Sequence, residues 1–125
     1  MNSGYLNSNY YFSVLISKRL IKSSMTKSIS DKIKLLKPIF QLHKVERAYL
    51  FGSATTANFS TKSDIDLLVT FQENIDPLEK GELWWSLYDS LRLHFNREID
   101  LVTESSLKNP YFIEEVNNTK QLIYG

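Results

Sequence analysis

The chain turns on Leu50-Phe51-Gly52-Ser53-Ala54-Thr55-Thr56-Ala57-Asn58-Phe59-Ser60-Thr61-Lys62-Ser63-Asp64-Ile65-Asp66-Leu67-Leu68-Val69. A Gly-Ser pair is followed, after ten residues, by two carboxylates with one apolar residue between them. Gly52 has no side chain, so backbone there can approach a phosphate closely. A short helix opening after Ser53 would turn free N–H groups and its positive dipole end toward the same anion. The Ser53 hydroxyl adds a donor, and Ser63, beside Asp64, is a further candidate contact to a nucleotide. If Asp64 to Val69 is a strand, both carboxylates share one face, while Ile65, Leu67, Val69 and Phe71 point into a core. Like charges so close on an apolar strand are unfavourable unless a cation neutralises them. Hard oxygen donors beside a triphosphate select Mg²⁺.

A third carboxylate lies downstream. Arg97-Glu98-Ile99-Asp100-Leu101-Val102-Thr103 reads as a strand with Ile99 and Leu101 on one face and Asp100 on the other. Paired beside the Asp64/Asp66 strand, Asp100 would complete a cluster suited to two metal ions about 3.5–4 Å apart. It is also placed to accept the proton of an attacking hydroxyl. The plainer alternative is a strand-edge aspartate facing solvent.

Together, Gly52-Ser53, Asp64-x-Asp66 and Asp100 resemble the polymerase-β-type nucleotidyltransferase superfamily. More narrowly, the chain is similar to its minimal nucleotidyltransferases, over about Thr26 to Gly125. The resemblance implies an α/β (α+β) palm-like fold, a nucleoside triphosphate substrate (ATP by family preference) and Mg²⁺ held by Asp64, Asp66 and Asp100. It further implies transfer of a nucleotidyl group to a tyrosine of a HEPN-domain toxin, with this chain as the antitoxin. One departure stands out: where many relatives carry Ala-Arg-Gly after the turn, this chain has Thr55-Thr56-Ala57. Thr56 can donate a hydrogen bond but brings no charge, and Lys62 reads as a solvated loop residue before it reads as a replacement.

The rest of the composition narrows the setting. The 125 residues allow one domain with a modest core. A net charge of +1 gives no bulk bias toward nucleic acid or anionic membrane. Cysteine is absent, which excludes disulfides and cysteine-based zinc sites and fits a cytoplasmic protein. No apolar run approaches the ~20 residues of a membrane helix. Residues 1–24 read as an extension, rich in Asn, Ser and Tyr. It is either a flexible arm or sequence ahead of a start at Met25, the second being favoured; residues 25–125 form the domain.

The predicted elements alternate. A helix from Ser28 to about His43, capped by Ser28-Ile29-Ser30-Asp31, carries Ile29, Ile33, Leu36 and Phe40 at helical spacing and is kinked or interrupted by Pro38. Strands follow at Val45–Phe51 and Ile65–Phe71. Asp76-Pro77 opens a helix whose buried stripe is Leu83, Trp84, Leu87, Tyr88, Leu91 and Phe95, with Trp85 off it. After the Asp100 strand, Asn109-Pro110 caps a short helix to about Asn117, and Lys120–Tyr124 is extended. The architecture expected is helices against a small antiparallel or mixed sheet.

Other polar residues carry less. His43 and His94 lack metal-ligand spacing and suit surface or helix-end roles. Glu114-Glu115 reads as a solvated face, and Glu98 as a salt-bridge partner. No serine sits in a nucleophile elbow. Because so short a chain has no room for an acceptor-holding domain, a protein partner or a second copy must complete the pocket. The alternatives to the toxin-modifying reading are a homodimeric transferase acting on a small molecule and an antitoxin of the same fold acting by contact alone.

Overall fold

Pro38 decides how the chain enters the sheet. The computed structural model describes residues 27–55 and 63–125. Within it, the single helix expected from Ser28 to His43 is two helices, α1 (Lys27–Lys34) and α2 (Lys37–Leu42). Proline lacks an N–H and its ring would meet the carbonyl of Lys34, so the ladder breaks ahead of it. Pro38 then sits in the first turn of α2, where no donor is missed. Leu35 and Leu36 close the break with bonds of 3.2 and 3.1 Å to the carbonyls of Lys32 and Ile33. Ser28, expected in the cap, lies inside α1 instead. The 1–24 extension, Thr56, Ala57 and Lys62 fall outside the described residues.

The remaining elements are β1 (Val45–Phe51), β2 (Ile65–Phe71), α3 (Pro77–Phe95), β3 (Ile99–Thr103), α4 (Pro110–Thr119) and β4 (Gln121–Tyr124). They form a four-stranded mixed sheet in the order β3-β2-β1-β4. β1 runs antiparallel to both β2 and β4. β2 and β3 are parallel, a pairing that needs a long crossover, which α3 supplies.

Sequence punctuation sets the helix ends. The Asp76 carboxylate accepts the Leu78 N–H at 3.1 Å to start α3, and Asn96, with φ of 54°, ends it. Asn109 caps α4 by accepting from the N–H groups of Tyr111 and Phe112 at 2.9 and 3.3 Å. Asn109→Ala should therefore lower stability by about 1 kcal/mol. A denaturation midpoint equal to wild type would show that α4 starts without that cap.

Alternation along the strands divides the apolar side chains between two layers. Ile65, Leu67 and Val69 join Leu50, Leu101 and the α2–α3 residues Phe40, Leu87 and Leu91 in the larger core. On the opposite face Phe51 and Leu68 pack with Val116 of α4, and Phe51 meets Phe112 edge-on at 5.9 Å. The sheet is thus covered on both sides, more lightly on the α4 side.

His43 corrects the surface assignment while keeping the helix-end one: it closes α2 and is only 5% exposed. Its Nδ1 lies 2.7 Å from the Ile39 carbonyl and its Nε2 2.9 Å from Ser86 Oγ. A carbonyl can only accept, so Nδ1 donates to it, and the Ser86 hydroxyl, able to donate or accept, partners Nε2. His94 lies 2.7 Å from the Lys32 carbonyl, joining α3 to α1. Glu98 pairs with Arg92 at 2.9 Å, as expected. Trp85, off the buried stripe, is 62% exposed.

Candidate active site

The strand pattern that buries Ile65 and Leu67 turns Asp66 to the opposite face, toward α4. Ile99 and Leu101 do the same for Asp100. The parallel register makes Asp66 and Asp100 direct cross-strand partners. Asp64 stands immediately before β2. The structure therefore brings the three expected carboxylates to one end of one sheet face.

The electrostatics of that end follow from the crowding. Burial pushes the Asp66 carboxyl up, and the charges of Asp100, Asp64 and Glu115 push it further, from 3.8 to about 6. Glu115 is the addition. Its side chain is solvent-exposed, as expected, yet its charge bears on Asp66, so a purely solvated role is incomplete. The signal was present in α4: Phe112, Glu115, Val116 and Thr119 follow the i, i+3, i+4, i+7 spacing of one helix face.

Gly52 is packed against Asp66 and tied to α4. Its φ is +71°, and a Cβ placed there would run into the Asp66 carboxylate. The missing side chain makes room for a carboxylate. Its amide donates to Thr119 Oγ1 at 3.0 Å. Gly52–Thr55 is a short 3-10 turn, closed by the Thr55 hydroxyl on the Gly52 carbonyl at 2.7 Å. Ser53 lies half-buried within that turn. Ser63 stands ahead of Asp64, and its carbonyl accepts from the Arg97 guanidinium at 3.0 Å. Arg97, passed over in the sequence, thereby braces the backbone on which Asp64 is carried.

Hard carboxylate oxygens that repel one another are the donor chemistry of a divalent cation such as Mg²⁺. Asp66, Asp100 and Asp64 fit that ion by donor type and by their shared end of the sheet. They do not form a finished cage: among the described residues, no three His, Cys, Asp or Glu side chains already stand close enough to hold an ion. A separate groove of about 300 Å³ under Trp84, lined by Phe71, Pro77, Lys80, Gly81 and Thr103, contains none of these carboxylates.

A mixed sheet carrying aspartates on adjacent parallel strands beside a glycine turn is the arrangement expected of a nucleotidyl-transfer domain. Residues 34–125 match the family model described as polymerase beta, nucleotidyltransferase, and the chain belongs to that family. It is 37% identical over 97 residues to a Methanocaldococcus jannaschii protein named putative protein adenylyltransferase, covering 77% of this chain and 93% of the relative. A second such protein from that organism is 33% identical over 88 residues, covering 70% and 84%. Among solved structures, a toxin–antitoxin complex with AMP-PNP superposes with a TM-score of 0.58 at 22% identity, over 80% of this chain and 74% of that one. A mutant of the toxin–antitoxin pair MntA–HpeT gives 0.58 at 20% identity, over 74% and 73%. These structural likenesses establish the fold. Among the described residues no helix is long and apolar enough to cross a membrane.

Proposed function

We propose that the chain transfers a nucleoside monophosphate, AMP by the naming of its relatives, from a triphosphate to a tyrosine hydroxyl of a partner HEPN-type toxin in the cytoplasm. The observation that carries this reading is the register of Asp66 with Asp100, with Gly52 seated against Asp66. The sequence relatives named protein adenylyltransferases and the fold shared with a toxin–antitoxin component support a protein acceptor.

In this reading Asp64, Asp66 and Asp100 hold Mg²⁺, which when bound offsets the charge of the phosphates and of the departing pyrophosphate. Gly52, Ser53 and Ser63 form the nucleotide side of the pocket. Asp100, exposed where Asp66 is half-buried, receives the proton of the acceptor hydroxyl. The new bond joins that oxygen to the α-phosphorus, and the bond from the α-phosphorus to the bridging oxygen breaks. Catalysis rests on positioning and charge neutralisation, with no covalent enzyme intermediate.

The test incubates purified protein with Mg²⁺, α-labelled ATP and host lysate, beside Asp66→Asn. A labelled protein band that depends on Asp66 supports the reading and identifies the acceptor by mass. Label confined to small molecules, or protection of cells by Asp66→Asn, would replace it with one of the two alternatives.

A further inference from the structure

We propose that Thr119 is a positioning residue of this site, acting through its hydroxyl on the Gly52 turn and through that turn on the Asp66 carboxylate. The inference rests on the reading of Asp66 as a ligand of the nucleotide-bound metal. No sequence motif marks the residue. Thr119 closes α4, 67 residues beyond Gly52.

The hydroxyl does two things at once. Its oxygen accepts the Gly52 N–H at 3.0 Å, and its hydrogen goes to the Glu115 carbonyl one turn back, also at 3.0 Å. A threonine oxygen has the capacity for both, and the second bond fixes the rotamer that makes the first. Phe51 pairs across the sheet with Asp66, so the Gly52 turn begins where that carboxylate projects. The close packing of Gly52 on Asp66 leaves no space for a Cβ. A shift of the turn is therefore a shift of the wall against which Asp66 rests. Without the hydroxyl, a half-buried amide loses its acceptor, and the turn must move to find water.

Isosteric substitutions separate this role from packing. Thr119→Val keeps the shape and removes the hydroxyl; Thr119→Ser keeps the hydroxyl and removes a methyl. The expected result for the valine variant is a KM for ATP raised about tenfold or more. The rise in melting temperature on adding Mg²⁺ and a non-hydrolysable ATP analogue should shrink with it. The serine variant should stay within about threefold of wild type by both measures. Hydrogen exchange at the Gly52 amide, followed by NMR without any ligand, should be slow in wild type and Thr119→Ser and fast in Thr119→Val.

A valine variant equal to wild type in KM and ligand response overturns the proposal. So does a wild-type Gly52 amide that exchanges at the open-chain rate, a result that stands even if the valine variant fails to fold. A wild type that gives no response to nucleotide and Mg²⁺ would overturn the reading of the carboxylates instead, and Gly52 exchange would still decide whether Thr119 holds the turn.

Discussion

Replacing Asp66 by Asn should reduce nucleotidyl transfer about a thousandfold or more and, in metal-free protein, raise the melting temperature. The first effect corresponds to about 4 kcal/mol of transition-state stabilisation. It is expected because Asp66 is the cross-strand partner of Asp100 and feels the charge of Asp64 as well, and an amide oxygen there offers a cation no negative charge. The second follows from the same crowding. With a folded-state pKa of about 6 against 3.8 for an ordinary aspartate, Asp66 holds a proton in the folded chain that the unfolded chain releases. Stability contributed by this group is therefore highest below about pH 4, falls as pH rises toward 6, and stays lower above it. A shift of this size on a half-exposed group amounts to about 1–2 kcal/mol once solvent screening is allowed for, or several degrees in a domain of this length.

Melting curves of both proteins in chelator, from pH 4 to pH 8, read this directly. The two should coincide near pH 4 and separate through pH 6, with the asparagine variant higher. The difference is the useful quantity, because other carboxylates pull the other way. Glu104, held below its usual range chiefly by the Thr70 hydroxyl and also by Arg47, loses its contribution in acid. Mg²⁺ with nucleotide should reverse the order by stabilising only wild type. An asparagine variant that melts below wild type at pH 8 in chelator would mean that donors already compensate Asp66. The site would then be built by hydrogen bonding, not poised against its own charge.

The carboxylate end of the sheet was legible because parity alone decides which way a strand residue points. Once Ile65 and Leu67 are assigned to the core, Asp66 has only the other face, and the same logic places Asp100. The parallel pairing that sets them side by side follows from α3 lying between their strands. What sequence could not provide was distance across the chain. The bond from Gly52 to Thr119 joins a turn to a helix end that approaches only because β4 returns along β1. Gly52 itself was singled out for its missing side chain, but its neighbour was not: the sequence does not show that the space beside it is taken by the Asp66 carboxylate. Glu115 was legible in principle from the α4 spacing and was obscured by its neighbour Glu114, since two adjacent acids read most simply as a solvated face. His43 shows the same limit. Its burial depends on Ser86 arriving from α3 to satisfy Nε2.

Gly52→Ala should damage both the stability and the activity of this chain. Two costs combine. An alanine at φ of +71° occupies a conformation that L residues adopt only at about 1–2 kcal/mol. Its Cβ must also displace the Asp66 carboxylate, and overpacking of this kind costs about 1–3 kcal/mol more. Activity should fall about a hundredfold or more through displacement of the carboxylate alone. The two costs are separable by a double-mutant cycle. Asp66→Ala removes the group that the new methyl strikes but leaves the backbone strain intact, so Gly52→Ala should cost at least about 1 kcal/mol less in that background. Equal costs in both backgrounds would show that Gly52 is required for its backbone angle only. Asp66 would then owe its position to the strand and not to the turn. An unequal cost ties the conformation of the Gly-Ser turn to the placement of the carboxylate, which is the coupling on which both the proposed chemistry and the role of Thr119 depend.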